Sequence, residues 1–94
     1  MLFSVRLVSR QPHDISPESW QTLVAEQLRF MKSLYDQGKV KSVYRETGAG
    51  VLAIFDVADP REMDSLIAQL PMARYFESTA AHAMWDMVPT LEAL

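Results

Sequence analysis

Over residues 2–9 (LFSVRLVS) the chain alternates: Phe3, Val5 and Leu7 share one face, and Leu2, Ser4, Arg6 and Val8 share the other. That period of two predicts a first strand. Pro12 breaks it, and Ser16-Pro17-Glu18 then supplies an N-cap, a first-turn proline and a first-turn acid. The spacing changes to three and four at Trp20, Leu23, Val24, Leu28, Met31, Leu34 and Tyr35. This predicts a helix over 17–37, closed by Gly38 as a left-handed cap. Residues 39–46 (KVKSVYRE) alternate loosely and carry lysines suited to an edge strand. After the Thr47–Gly50 turn, residues 51–57 (VLAIFDV) are apolar on both faces, which predicts a central strand covered twice. Asp59-Pro60-Arg61-Glu62 opens a second helix, with Met63, Leu66, Ile67 and Leu70 at helical spacing up to Pro71. Residues 74–84 form a weaker fourth strand.

The predicted order, strand-helix-strand-strand-helix-strand, is that of a ferredoxin-like α+β fold: a four-stranded antiparallel sheet with two helices on one face. The other face of the third strand, with Leu52 and Ile54, stays open. The simplest completion is a second subunit's sheet packed against it, a dimeric α/β barrel. The expected division is a domain over 1–84 and a tail over 85–94. The tail's Trp85, Met87, Val88, Leu91 and Leu94 are too apolar to leave in water and are expected to dock on a neighbouring subunit.

Composition narrows the partners. The 94 residues carry a net charge of -3, which disfavours nucleic acid and anionic membrane. No apolar run approaches the ~20 residues of a membrane span, and Arg6 interrupts the opening one, so a soluble cytoplasmic protein is expected. There is no cysteine, which removes thiolate nucleophiles and the usual zinc frameworks. The two histidines, His13 and His82, have no ligand spacing, so no metal is expected. Ser4 and Ser78 lie in no nucleophile motif. The turn glycines Gly48 and Gly50 do not open a helix, so they offer no phosphate cradle.

The remaining polar residues divide between a site and ordinary structure. Arg45 and Arg6 sit inside strands, where a guanidinium either clamps a carboxylate or pairs with Glu46 or Glu77. His82 lies among alanines that leave room for a ligand or for a subunit interface. Gln27 interrupts the apolar stripe of the first helix and must find a hydrogen-bond partner. Glu26, beside that stripe, is either a base or a solvated side chain. Trp20, Tyr44 and Tyr75 suit a pocket wall or a core equally well.

Several features in order resemble the muconolactone isomerase family: Met1-Leu2-Phe3 with Val5, Pro12, Asp14 and Pro17, Leu23 and Ala25, Leu34 and Gly38, Arg45 with Gly48, Phe55-Asp56-Val57, and Leu70-Pro71 with Tyr75. The similarity runs from the first residue to about Tyr75. It implies a homo-oligomer, a dimer assembling further up to a decamer, whose tails reach neighbours. It also implies proton transfer on a small unsaturated lactone acid without metal or cofactor. Two features depart from the family pattern. Gln27 stands where members carry a glutamate, and the stretch after Gly48, where members carry a histidine and an asparagine, is Ala49-Gly50-Val51 and one residue shorter.

The expected function is therefore that of an isomerase or cyclase acting on a small lactone or carboxylate other than muconolactone. Glu26, His82 and Tyr44 are the catalytic candidates; Arg45, Gln27, Arg6, Ser4, Trp20 and Tyr75 are the substrate-binding ones. A cofactor-free oxygenase and a non-catalytic binding protein are the alternatives.

Overall fold

A computed structural model describes all 94 residues. Its elements are β1 (Leu2–Ser9), α1 (Pro17–Asp36), β2 (Val40–Glu46), β3 (Gly50–Asp56), α2 (Pro60–Gln69), a 3-10 turn (Ala73–Tyr75), β4 (Phe76–Met84) and α3 (Val88–Glu92). The sheet order is β2-β3-β1-β4, antiparallel throughout. This is the ferredoxin-like arrangement, with β3 and β1 central and β2 at an edge. Both caps form as the sequence requires: Ser16 Oγ accepts from the Ser19 N–H at 3.1 Å, and Asp59 Oδ1 accepts from the Glu62 N–H at 2.8 Å.

The core lies between the helices and one sheet face. Phe3, Val5 and Leu7 of β1 and Ala53 and Phe55 of β3 meet Met31 and Leu34 of α1 and Met63 and Leu66 of α2. The buried line of α1 is Gln27, Met31 and Leu34, with Trp20 and Val24 half-buried on the same side. Leu28 and Tyr35, which the sequence places in the stripe, are 64% and 59% exposed. Each lies one residue, about 100° of rotation, past that line and so rolls out toward solvent. The short α3 within the tail has no counterpart in the strand and helix pattern read above.

Two local features shape the end of the sheet where β1 leaves it. Gly50 opens β3 so close to β1 that a Cβ there would collide with the Leu7 carbonyl oxygen. In the β1–β4 ladder Val8 faces Ser78 but Ser9 faces Phe76, so Glu77 is an extra residue, a β-bulge. The bulge resets the alternation of β4. Phe76 turns to the helix side beside Ser9, while Glu77 reaches outward to Arg10 at 3.1 Å.

Because the carbonyl that Gly50 approaches belongs to a paired central strand, Gly50→Ala must displace backbone. It is expected to lower the unfolding free energy by about 1–3 kcal/mol in urea denaturation, the usual cost of overpacking. An unchanged midpoint would show that β3 can shift at no cost.

Candidate active site

Between α1 and the sheet lies a cavity of about 400 Å³, the size of small-molecule sites. Its apolar wall includes Leu7, Val24, Met31, Val51, Met72 and Phe76; Trp20, Leu28 and Val43 also line it. The polar side chains on the wall are Gln27, Arg45, Ser9 and Gln11. No carboxylate, imidazole or lysine lines it. Leu28, Val43 and Arg45 are exposed, so the cavity is open to water on that side.

Gln27 is the only buried polar residue in the chain, 8% exposed. Its Oε1 accepts from the Met72 backbone N–H at 3.1 Å, a bond spanning 45 residues that ties α1 to the segment after α2. The partner that a polar group in the stripe demands is therefore a backbone amide. This also fixes which way the amide points, because an N–H donor can face only the oxygen. Arg45, opposite Val51 in the β2–β3 ladder, takes part in none of the six ion pairs of the structure. Its guanidinium is a cavity-wall charge with free donors.

The sequence-derived candidates divide between two faces. Trp20, Gln27 and Arg45 line the cavity. Tyr75 stands behind Trp20, ring edge to face at 5.6 Å, with the Arg74 guanidinium over it at 4.9 Å. Ser4, Arg6, Tyr44 and His82 project from the opposite sheet face, where Ser4 pairs with both Ile54 and His82, Arg6 with Leu52, and Tyr44 with Leu52. Arg6 is engaged there by Glu46 at 2.9 Å, the structural alternative foreseen for it. Glu26 is exposed on α1 and does not line the cavity. The other lining residues are not foreseen in the site: Leu7, Val24, Leu28, Met31, Val43 and Val51 read only as strand or stripe positions and Gly50 as a turn glycine, and Ser9, Gln11, Met72 and Phe76 are not singled out at all. The burial of Met72 after Pro71 leaves no periodic signal, and the bulge that aims Phe76 hides its parity. No three His, Asp or Glu side chains converge as a metal site would require.

Comparison with known proteins settles the kinship. Residues 1–82 match the family model described as muconolactone delta-isomerase. The chain belongs to the muconolactone delta-isomerase family. A relative of that name from Cupriavidus pinatubonensis is 30% identical over 78 residues, covering 82% of this chain and 85% of the relative. The crystal structure of muconolactone isomerase superposes with a TM-score of 0.80 at 25% identity, covering 92% of this chain and 90% of that one. A 5-chloro-2-hydroxyhydroquinone dehydrochlorinase from Burkholderia phenoliruptrix, solved with 2,5-dihydroxybenzoquinone, shares the fold at a TM-score of 0.65 and 18% identity, over 90% of this chain and 94% of that one. Family membership thus agrees with the sheet order and with the resemblance carried by the sequence.

Arg45→Met keeps the packing of the side-chain stem and removes the planar donors. Binding of a small carboxylate in the cavity is expected to weaken by roughly 2–3 kcal/mol in titration calorimetry, as for a charge-assisted contact. Thermal unfolding should move little, because Arg45 has no ion-pair partner to lose. A large loss of stability with affinity intact would assign Arg45 to the fold instead.

Proposed function

We propose that this chain is an isomerase-like enzyme that holds a small unsaturated lactone or carboxylate, other than muconolactone, between α1 and the sheet and moves a proton on it without a cofactor. The observation that carries the reading is the unpaired Arg45 guanidinium, the one charged group on a mostly apolar wall, in a member of the muconolactone delta-isomerase family. The guanidinium takes the carboxylate as a bidentate pair, and the apolar wall receives the unsaturated carbon frame. No carboxylate or imidazole lines the cavity, so the proton is exchanged with water or hydroxide admitted at the open side: it leaves one carbon of the unsaturated system, the electron pair shifts along that system, and a proton returns from water to another carbon. An unlined base favours one second reading, a binding protein without chemistry. The test is NMR of unsaturated lactone acids in D2O. Exchange of their ring protons faster than in buffer supports the enzyme; saturable binding without exchange supports the binder.

Muconolactone itself should be a poor substrate. An amide at position 27 cannot act as a general base and solvent is a far weaker one than a carboxylate, so wild-type turnover in a spectrophotometric assay is expected to be negligible; because the stretch after Gly48 also departs from the family pattern, Gln27→Glu alone should restore little. Robust wild-type turnover would show that the family reaction persists through another group. Turnover appearing only in the variant would show that the pocket is otherwise intact.

The site is also proposed to work within a homo-oligomer. The radius of gyration is 15.0 Å, against roughly 12 Å for a compact chain of this length, and the extents are 55 × 27 × 20 Å. Trp85 is 70% exposed, and Met87, Val88, Leu91 and Leu94 are also exposed. Leu52 and Ile54 are incompletely covered on the free sheet face. A second copy's sheet on that face and the tail on a neighbour would cover both surfaces. Truncation after Met84 should reduce the assembly seen by light scattering or make the protein insoluble; a well-folded full-length monomer at micromolar concentration would overturn the assembly.

A further inference from the structure

The orientation of Gln27 specifies which form of a ligand the cavity takes. Its Oε1 is occupied by the Met72 N–H. Its Nε2 has no protein partner, yet no buried side-chain nitrogen or oxygen of the chain is left unpartnered and sealed from solvent, so this NH2 opens on the cavity that Gln27 lines. The buried part of the wall therefore presents the Gln27 NH2 as a donor and no free side-chain acceptor, while Arg45, Ser9 and Gln11 lie on its exposed part. Among charged and titratable groups, only Arg45 of β2 faces the cavity. None does so from α1, β1, β3 or the segment from Met72 to Phe76.

We propose that Gln27 Nε2 and Arg45 form an oxyanion-receiving pair that binds an acidic enol or phenol as its enolate or phenolate and lowers the pKa of the bound hydroxyl. This rests on the preceding reading of the cavity as the ligand site. A neutral hydroxyl accepts only weakly from these donors and still needs an acceptor for its own proton, whereas an oxyanion accepts from both as charge-assisted bonds, and the burial of Gln27 strengthens the one it donates. On binding, the O–H bond of the ligand breaks heterolytically, the electron pair stays on oxygen and the proton passes to bulk water. Gln27 thus stabilises the anion and takes no proton itself, the opposite role to a carboxylate at this position.

The probe is 4-nitrophenol, whose phenolate is read by its absorbance, titrated against pH free and bound. The bound midpoint is expected to lie at least about one pH unit below the free one, meaning tenfold or more tighter binding of the anion. Gln27→Glu keeps an acceptor for the Met72 N–H and turns a carboxyl oxygen toward the ligand, so the midpoint should move back up and phenolate affinity should fall tenfold or more. Arg45→Met should weaken the probe as well. If that variant leaves all binding unchanged, the cavity is not the ligand site and both readings fail. If it weakens binding while Gln27→Glu leaves the bound midpoint unmoved, the cavity is the site but the role given to Gln27 is wrong. A wild-type midpoint at or above the free value, or no binding of the probe, overturns the proposal even where Gln27→Glu does not fold.

Discussion

One polar side chain lies in an interior otherwise built from Phe, Val, Leu, Ile, Met and Ala, and that side chain, Gln27, must be satisfied there. An amide left without partners in such surroundings costs about 1–3 kcal/mol, so its bond to the Met72 N–H is a condition of folding as much as a contact. The same bond answers a demand from the other side. The chain ends α2 at Gln69, passes Pro71 and buries Met72 before any strand begins, which leaves a backbone donor that no ladder can use. Two unsatisfied groups from distant parts of the sequence thus meet, and the cavity floor is held where they do. Everything the wall offers a ligand follows from which end of the amide this bond consumes.

The division of the sheet into two faces is the second determinant. On β2, Val43 and Arg45 face the helices while Ser42 and Tyr44 face away, so neighbouring residues in the sequence serve different surfaces. The far face collects Ser4, Arg6, Tyr44 and His82 around Leu52 and Ile54, and Arg6 is already neutralised by Glu46. A helix-side cavity with one free cation and a far side with paired charges are therefore products of strand parity acting on an unremarkable composition.

How much of this is legible in the sequence depends on the strength of each pattern. β3, apolar on both faces, announces a central position, and the caps at Ser16 and Asp59 fix where the helices start. Gln27 stands out because a polar residue in an apolar stripe is an anomaly that physics must resolve. β2 gives no such guidance. Both of its faces mix polar and apolar residues, so alternation says that Tyr44 and Arg45 are separated without saying which one meets the helices. His82 suffers the same ambiguity on a strand of small residues. Met72 is invisible because it contributes a backbone group, and the sequence does not display backbone groups.

The bulge at Glu77 shows how finely the electrical character of the cavity is set. Residues in β4 are assigned to a face by counting from the ladder with β1, and the extra residue shifts that count by one between Ser78 and Phe76. Without it, the alternation running down from Thr79 would aim the glutamate inward and the phenylalanine outward. An aromatic wall and an acidic one are thus separated by a single inserted position. In this scaffold a ladder that ran on without the bulge, pairing Glu77 with Ser9, would give the chamber a carboxylate of its own with no change of residue type.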